Sequence, residues 1–401
     1  MKNILFATLV DINSLDERGI YQDLMRELTN LGHKVYIISP LERRNGKKTT
    51  LIQTDTGAIL KVAIGDIQKT SSIKKGISTL RLERQYVSAV KKYFGDIKFD
   101  LMIYSTPPIT LAKVISFIKK RDGATTYLLL KDIFPQNAVD LGLLTKFGSL
   151  YRFFRKKERR LYESSDYIGC MSQANVDYLL AHNREIRPEQ VHVCPNSITP
   201  AEQNVKQYRA GIRQTYGLPQ DKKIFIYGGN LGKPQAVDFI VLCLKLNADK
   251  DDRFFLICGD GTQAGVLSAY IDEAAPANVR LMEMLPKAEY DRIVCACDVG
   301  MIFLDHRFTI PNFPSRLLSY MDQAVPVLAC TDAYTDVGKT IVDNDFGWWC
   351  ISDNAKYFLQ VIDDICKSDD ELVEKGLAAR KFLEENYKAS DAAKVILDNV
   401  G

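Results

Sequence analysis

The sequence predicts an α/β fold in which two Rossmann-like domains face a cleft. The chain of 401 residues is too long for one ordinary core and suits two domains of about 200 residues each. Short apolar or β-branched runs alternate with amphipathic stretches through the first half, and the alternation restarts near residue 224. A polar stretch at 197–223, poor in strand-forming residues, separates the two series and indicates a hinge.

The first half predicts a mostly parallel sheet with helices on both faces, because its strands and helices alternate as in βαβ units. Its first helix has apolar residues at helical spacing, Ile20, Leu24, Leu28 and Leu31, and Gly32 ends it. In chain order the predicted strands are 4–10, 34–39, 101–105, 125–131, 167–172 and 191–196, with helices at 16–31, 80–94, 108–120 and 147–162.

The second half repeats this rhythm after the hinge. Its predicted strands are 224–229, 254–258, 279–282, 299–304, 325–330 and 348–351, and helices follow from residue 355. We expect an N-terminal domain over 1–200, a C-terminal domain over 201–380, and a last helix in 381–401 that packs back on the first domain. Ligands bind in such architectures at the carboxyl ends of the strands.

Composition is typical of a soluble globular protein, because 46% of the residues are hydrophobic and 26% are charged. No run approaches the roughly 18 uncharged apolar residues that a membrane-spanning helix needs. The short apolar start lacks a small-residue cleavage site, so it indicates a first strand and not a signal peptide. Nine cysteines without a C-x-x-C pair argue against zinc sites and disulfides, and they favour a reducing cytoplasm.

The net charge of +3 conceals two halves of opposite sign. Residues 1–200 contain 31 Lys and Arg against 20 Asp and Glu, whereas the remainder contains 22 against 30. A basic run at 147–162 includes Arg155, Lys156 and Lys157. It is either a solvated surface helix or a face that docks on an anionic membrane, where each cation contributes on the order of 1 kcal/mol. No nucleic-acid-binding motif is visible, so nucleic acid is not an expected partner.

Two segments of the second half have the chemistry of a phosphate site. At 308–321, prolines flank Asn312 and Ser315, and a helix then opens at Arg316. A helix start offers free N–H groups, and a guanidinium grips further phosphate oxygens. In the glycine-rich turn at 227–235, Gly229 lets the backbone approach a ligand and Lys233 can neutralise a diphosphate. Alternatively, both segments are ordinary loops that connect a strand to a helix.

The run at 314–329 resembles the signature of retaining glycosyltransferases of family 4. The family pattern is commonly written P-S-K-x-x-E-Y-x-A-x-G-x-P-V-I-A, and this chain has P-S-R-L-L-S-Y-M-D-Q-A-V-P-V-L-A. The family usually carries a glutamate at each of the two positions that Pro311 and Ser319 occupy here. A serine still hydrogen-bonds a ribose hydroxyl but with less reach, and Pro311 offers only its carbonyl.

The resemblance extends along the second half and implies a set of donor-binding residues. In the family the cation of the glycine-rich turn contacts the donor pyrophosphate, a role that falls here to Lys233 beside Arg316. The other implied donor contacts are Gly229, Asn230, Gly259, Leu285, Asn312, Ser315 and Ser319.

The run at 132–144 resembles the pattern D-x-x-P-x-x-A-x-x-L-G-x-L of sugar transferases that build bacterial surface polysaccharides. The resemblance implies that Asp132 orients an acceptor hydroxyl or takes its proton. A helix cap is the alternative role. Lys131 stands where many relatives have histidine, and Thr106 and Gly19 lie in loops expected on the same acceptor side.

Together the resemblance implies a GT-B glycosyltransferase whose N-terminal domain binds the acceptor and whose C-terminal domain binds the nucleotide-sugar. We expect retaining transfer of a hexose or N-acetylhexosamine from a UDP-sugar to a polyprenyl-diphosphate-linked glycan, as in capsule or O-antigen assembly at the inner face of the cell membrane. Fixed cations at the leaving diphosphate make a metal unnecessary, so no metal or cofactor is expected. Two alternatives stay open: a nucleotide-sugar 2-epimerase and an inactive nucleotide-binding module.

Overall fold

The computed structural model describes residues 1–67, 72–202 and 208–401, and these fall into two compact units. Unit 1 contains Met1–Ile198 together with Ala389–Gly401, and unit 2 contains Thr199–Lys388. Each unit is a mostly parallel sheet with helices packed against it, which confirms the predicted α/β fold with two parallel-sheet domains.

Unit 1 is built on an eight-stranded sheet. Its strands are β1 (Asn3–Ala7), β2 (Lys34–Glu42), β3 (Thr50–Thr54), β4 (Gly57–Ile64), β5 (Leu101–Ser105), β6 (Thr125–Leu130), β7 (Tyr167–Cys170) and β8 (Val191–Val193). They lie in the order β3-β4-β2-β1-β5-β6-β7-β8, and β3 runs antiparallel to β4 while the other described pairs are parallel. The strand order reverses between β1 and β5, where open α/β sheets place their ligand crevice.

The helices of unit 1 cover this sheet with apolar faces. In α1, for example, Leu24, Met25 and Leu28 are buried, and Gly32 beyond its end has a left-handed φ of +83°. The helices are α1 (Ile20–Asn30), α2 (Ser72–Tyr93), α3 (Ala112–Asp122), α4 (Gln136–Asp140), α5 (Ser149–Glu163) and α6 (Gln173–His182).

The antiparallel hairpin of β3 and β4 is an element that the sequence analysis did not predict. β3 is an edge strand with mostly exposed side chains, and β4 carries Lys61 among its apolar residues, so neither shows a clear strand pattern. Lys61 is nevertheless buried, because its ammonium donates to the Ile12 carbonyl at 3.0 Å and to the Asn13 side chain at 3.1 Å. The lysine thereby fixes the loop that follows β1.

Unit 2 is built on a six-stranded, fully parallel sheet. Its strands are β9 (Lys223–Asn230), β10 (Arg253–Asp260), β11 (Val279–Met282), β12 (Val299–Phe303), β13 (Val327–Thr331) and β14 (Gly347–Ile351). Their order, β11-β10-β9-β12-β13-β14, is that of a doubly wound dinucleotide-binding fold. The order reverses between β9 and β12, so the loops after these two strands are the expected binding region.

The helices of unit 2 are α7 (Arg209–Thr215), α8 (Val237–Leu246), α9 (Ala264–Ala274), α10 (Lys287–Val294), α11 (Arg316–Asp322), α12 (Val337–Asp343), α13 (Ala355–Ile365) and α14 (Asp369–Asn386). The last helix of the chain, α15 (Ala389–Val400), belongs to unit 1, where Ala393 and Ile396 join the core that contains α1. The return to unit 1 thus begins at Ala389. Among the described helices, none has an apolar stretch long enough to cross a bilayer.

Candidate functional site

Among the residues that the structure describes, the guanidinium of Arg316 in unit 2 has no carboxylate partner. The residue begins α11, and its Cζ lies 4.4 Å from the centre of the Tyr227 ring, within the range of a cation–π contact. Its Nη1 is buried, and among the described residues that atom has no hydrogen-bond partner and the side chain has no ion pair. Arginine stays protonated in proteins, so the site holds an uncompensated positive charge.

Tyrosines form neutral walls beside this guanidinium. Tyr320 donates to the Met301 carbonyl at 3.0 Å, and the Tyr290 hydroxyl lies 3.4 Å from that of Tyr320. Burial raises the pKa of Tyr227, Tyr290 and Tyr320 above the usual value of a phenol, so none of them supplies a negative charge. The aromatic cluster positions Arg316 and leaves its charge available to a ligand.

Glycines at the ends of β9 and β10 are required by close backbone packing. A Cβ on Gly228 would lie 2.0 Å from the Tyr290 hydroxyl, and a Cβ on Gly259 would lie 2.1 Å from the Gly229 carbonyl oxygen. Gly229 has a left-handed φ of +116°, and a Cβ there would lie 3.5 Å from a guanidinium nitrogen of Arg316. The turn therefore brings bare backbone next to the unpaired cation.

Lys233 adds a second cation in the same turn. It begins a 3₁₀ turn, Lys233–Gln235, and is partly exposed, and its side chain has no hydrogen bond or ion pair to any described residue. The side chain of Asn230, in contrast, is engaged within the loop, because its amide donates to Gln235 Oε1 at 2.7 Å. The Tyr227 hydroxyl also donates to the Asn230 carbonyl at 2.6 Å. Asn230 thus shapes the loop, and Lys233 is free to bind an anion.

The start of α11 offers fewer free N–H groups than the sequence analysis expected. The helix has only seven residues, and the amides of Leu317 and Leu318 already donate to the Pro314 and Ser315 carbonyls at 3.2 and 3.1 Å. Ser315 is exposed and its side chain makes no capping hydrogen bond. Anion binding at this place consequently depends on the Arg316 side chain more than on the helix end.

The remaining donor-side residues have different exposures. Ser319 on α11 is only 7% exposed. Leu285 is partly exposed in the loop between β11 and α10, beside Met284, which is 57% exposed. Asn312 is held by its backbone, because its N–H donates to Thr335 Oγ1 at 2.6 Å and its carbonyl accepts from the same hydroxyl at 2.9 Å.

Asp332 is a buried carboxylate that the sequence analysis missed. It follows β13, and its Oδ1 accepts the N–H groups of Tyr334 and Thr335 at 2.8 and 2.7 Å. Its Oδ2 has no partner among the described residues, and burial raises the pKa of this carboxyl to about 6. Through Thr335 it fixes Asn312 in the segment that leads to Arg316. In the sequence, the signal that could have revealed this turn is an Asp that stands shortly before a Thr.

In unit 1, Asp132 lies at the carboxyl end of β6 next to the end of β5. The Thr106 hydroxyl, just after β5, accepts the N–H groups of Lys131 and Asp132 at 2.9 and 3.2 Å. Asp132 Oδ1 accepts from the Asn137 amide at 2.9 Å, and burial raises the pKa of this carboxyl to about 6. Helix α4 is capped at Pro135 without a side-chain hydrogen bond, so Asp132 is not its cap.

The ammonium of the partly buried Lys131 has few partners. Its Nζ lies 3.4 Å from the Cys194 carbonyl oxygen, and it has no ion pair among the described residues. Burial lowers the pKa of this lysine to about 8. Lys131, Asp132 and Thr106 thus lie together at adjacent strand ends.

Gly19, the other acceptor-side residue, caps α1 in an extended conformation. Its N–H points to Asp23 Oδ1 at 3.4 Å, and Asp23 is almost fully buried in the first turn, where it pairs with Arg26. The carboxylate of Asp23 therefore already occupies the positive end of this helix. Gly19 is placed as a helix start and not as an open phosphate loop.

The basic run on α5 separates into inward and outward cations. Arg155 donates to Glu158 at 2.6 Å and to the Asn183 side chain at 2.5 Å, and Lys157 lies 3.7 Å from buried Glu83. These two cations are therefore engaged in the fold and do not face outward as expected, whereas Lys156 is exposed. We call the following exposed set the basic face: the cations Lys146, Arg152, Lys156, Arg159 and Arg160 with the apolar residues Leu143, Phe147, Leu150 and Phe153.

Among the described residues, no group of three or more His, Cys, Asp or Glu side chains is arranged to hold a metal ion. The nine cysteines are free thiols, eight of them buried.

Comparison with known proteins identifies the domain in unit 2. Residues 209–382 match the family described as "Glycosyl transferases group 1". The chain is 24% identical over 362 residues to the probable glycosyltransferase WbjE of Pseudomonas aeruginosa, covering 88% of each chain. It is 23% identical over 249 residues to the putative colanic acid biosynthesis glycosyl transferase WcaI of Escherichia coli K12, covering 60% of each chain.

Solved structures share the fold over the whole chain at low sequence identity. A sucrose-phosphate synthase from Thermosynechococcus elongatus superimposes with a TM-score of 0.76 at 15% identity, covering 99% of this chain and 98% of its own. WaaG, a glycosyltransferase involved in lipopolysaccharide biosynthesis, gives 0.67 at 13% identity, covering 98% and 99%. Anabaena HepE in complex with UDP gives 0.69 at 12% identity, covering 100% and 99%. The two sheets thus have the architecture of GT-B glycosyltransferases.

Proposed function

We propose that this glycosyltransferase, whose group 1 domain occupies residues 209–382, moves a sugar from a UDP-sugar to a lipid-linked glycan in bacterial polysaccharide biosynthesis. Retention of the anomeric configuration is part of the proposal, because the run at 314–329 resembles the signature of retaining enzymes. The relative named for colanic acid biosynthesis and the structural neighbour that holds UDP support the product class and the donor base. The observation that carries the proposal is the unpaired guanidinium of Arg316.

A diphosphate leaving group fits the electrostatics of unit 2. Burying a cation without a counter-charge is costly, and a bound anion removes that cost. The planar guanidinium presents paired N–H donors that match two phosphate oxygens, and Lys233 adds a mobile point charge. Negative charge on the diphosphate grows as the glycosidic bond breaks, so fixed cations stabilise the transition state more than the ground state. Such a clamp needs no metal ion.

Proton transfer from the acceptor is assigned to unit 1. Asp132 has its pKa raised to about 6, so it is mostly ionised near neutral pH and still basic enough to accept a proton. The Asn137 amide holds one carboxylate oxygen at 2.9 Å, and the Thr106 hydroxyl holds the backbone of the same residue, so the carboxylate is fixed at the strand end. Asp132 thus has the position and the basicity that the proposed reaction needs.

An acceptor attached to a polyprenyl chain stays in the bilayer, so the enzyme has to come to the membrane. The basic face combines five exposed cations with four exposed apolar side chains, of which Phe147 is 64% exposed and Leu150 is 53% exposed. Anionic lipid headgroups attract the cations, and the apolar side chains bury area at the headgroup boundary. We therefore place the protein at the cytoplasmic surface of the membrane as part of this proposal.

A thermal-unfolding titration with UDP, GDP, ADP and dTDP tests the proposal. A nucleotide at 100 times its dissociation constant stabilises by about 2.7 kcal/mol. We expect UDP to raise the unfolding temperature most, and the matching UDP-sugars to be consumed only with a lipid-linked acceptor. No shift with any nucleotide would overturn the clamp. Binding without turnover would indicate an inactive nucleotide-binding module, and conversion of the donor sugar alone would indicate an epimerase.

A further inference from the structure

We infer that Lys131 binds an anionic oxygen group of the substrate handled in unit 1, either the carboxylate of an acidic sugar or a phosphate of the acceptor. This inference rests on the proposed function, and it names a substrate class that the family match does not. It follows from how the lysine is placed, how its neighbours are charged and how other buried lysines of this chain are partnered.

The position of Lys131 is fixed at its backbone. Its N–H donates to the Thr106 hydroxyl at 2.9 Å, and the residue directly follows β6. The side chain extends toward the end of β8, because Nζ comes within 3.4 Å of the Cys194 carbonyl oxygen. The ammonium therefore lies at the carboxyl edge of the sheet, where α/β folds bind ligands, and the residue is partly exposed.

Nothing described in unit 1 neutralises this ammonium. Its close neighbours are the thiols of Cys170 and Cys194, and burial raises the pKa of Cys170 to about 12 and that of Cys194 above its usual value, so both stay uncharged. One long contact to a carbonyl leaves at least two of the three ammonium donors without a partner among the described residues. A neutral hydroxyl would satisfy a donor but would not compensate the charge.

Two buried lysines elsewhere in the described chain have carboxylate partners, whereas the partly exposed Lys131 has none among the described residues. Lys61 pairs with Asp11 and also donates to the Ile12 carbonyl and the Asn13 side chain. Lys375 pairs with Asp345 and lies 3.5 Å from Glu371. Since a desolvated lysine is costly without a counter-ion, the missing partner of Lys131 is best supplied by a ligand.

The ligand must also suit Asp132, which follows Lys131 in the same loop. A substrate that carries an anionic group and a reacting hydroxyl can pair the first with Lys131 and present the second to Asp132. An acidic sugar meets this requirement through its carboxylate, and a polyprenyl-linked acceptor meets it through its diphosphate. The shared chemistry is an anionic oxygen group.

Amine labelling measures this site without any assay of turnover. A lysine with a lowered pKa is acylated quickly, and each unit by which a bound anion raises that pKa lowers the deprotonated fraction about tenfold. We would label the intact protein briefly with acetic anhydride and quantify each lysine by peptide mass spectrometry. Glucuronate, inorganic pyrophosphate and glucose serve as the acidic-sugar, phosphate and neutral probes.

We expect fast labelling of Lys131 that glucuronate or pyrophosphate slows and glucose does not. Lys98, an exposed lysine before β5, is the internal reference and should label equally in all samples. Protection by glucuronate alone assigns an acidic sugar, and protection by pyrophosphate alone assigns the acceptor phosphate. Protection by pyrophosphate has to persist in R316M, so that binding at unit 2 is not mistaken for binding here.

Equal labelling of Lys131 with all three probes would overturn the inference. Nucleotide-induced stabilisation is measured separately. A protein that binds UDP but shows no protection of Lys131 would therefore contradict this inference without contradicting the proposed function. K131R and K131M extend the test through the Michaelis constant for the acceptor. Arginine should keep it near the wild-type value and methionine should raise it, whereas a purely structural role would lower stability in both.

Discussion

Unit 1 and unit 2 both concentrate charge at the carboxyl edge of a parallel sheet, but they do so in opposite ways. In unit 2 the charge is the guanidinium of Arg316 against neutral tyrosines, and it is permanent. In unit 1 the charges are Lys131 and Asp132, whose pKa values of about 8 and about 6 bracket neutrality. In the proposed function, the same fold type therefore provides fixed electrostatic stabilisation in unit 2 and proton chemistry in unit 1.

The largest effect should come from removing the fixed charge of unit 2. R316M should slow sugar transfer about 10²–10³-fold and abolish stabilisation by the nucleotide, because the developing diphosphate loses its main counter-charge. The measurements are initial rates and thermal unfolding with nucleotide. R292M, on an exposed arginine of α10, is the matched control and should leave both unchanged. Equal behaviour of the two variants would contradict a role for Arg316.

The next effect separates proton transfer from donor binding. D132N should slow transfer about 10²-fold, because an amide cannot accept the acceptor proton, while nucleotide stabilisation stays at the wild-type level. D177N is a suitable control, since the exposed Asp177 also accepts from a side-chain amide, at 2.8 Å from Gln173. If D132N retained full activity, the base would have to be sought elsewhere.

Above about pH 7 the pH dependence should belong to unit 1, because Asp332 of unit 2, whose pKa is also raised to about 6, is ionised there. Below about pH 6 Asp132 becomes protonated and cannot act as a base, and above about pH 8 Lys131 loses its charge. We expect kcat/KM to fall on both sides of this window, whereas nucleotide binding through Arg316 should stay constant between about pH 7 and 9. K131R should remove the alkaline decline. An unchanged decline in K131R would assign it to another group.

A smaller effect tests how the loop before Arg316 is held. T335V should lower the free energy of unfolding by about 1–3 kcal/mol, because the Asn312 N–H and carbonyl both lose their partner. Urea denaturation measures this loss. T340V makes the same substitution on α12, where the hydroxyl only donates to the Asp336 carbonyl at 2.8 Å, and should stay within about 0.5 kcal/mol of wild type. Similar losses of unfolding free energy in both variants would show that the contact between Thr335 and Asn312 has no particular importance for stability.

The smallest effect concerns the basic face. K156A should weaken binding to phosphatidylserine vesicles by about 1 kcal/mol, roughly fivefold, and K98A, before β5, should not. F147S should weaken it further through lost apolar burial. Vesicle sedimentation measures both effects. If neither K156A nor F147S weakened vesicle binding, the proposed membrane association would be contradicted.

Periodicity predicted most strands and the two-domain arrangement, because buried parallel strands are short continuous apolar runs. It missed β3 and β4, because an edge strand is exposed and the lysine in β4 is buried only through partners that are distant in sequence. The same limit affected α5. A run of cations shows charge but not direction, and Arg155 and Lys157 face inward because Asn183 and Glu83 are brought to them.

The sequence by itself determined the fold class, the cations that are proposed to bind the diphosphate and the loop that holds Asp132. These features follow from local patterns, because strand periodicity, glycine turns and short motifs involve residues that are close together in the sequence. Only the tertiary structure decided that Arg316 has no counter-ion among the described residues, that Asn230 is engaged within its loop and that Lys131 lies partly buried beside neutral thiols. Those properties depend on which side chains folding brings together, and sequence spacing does not contain that information.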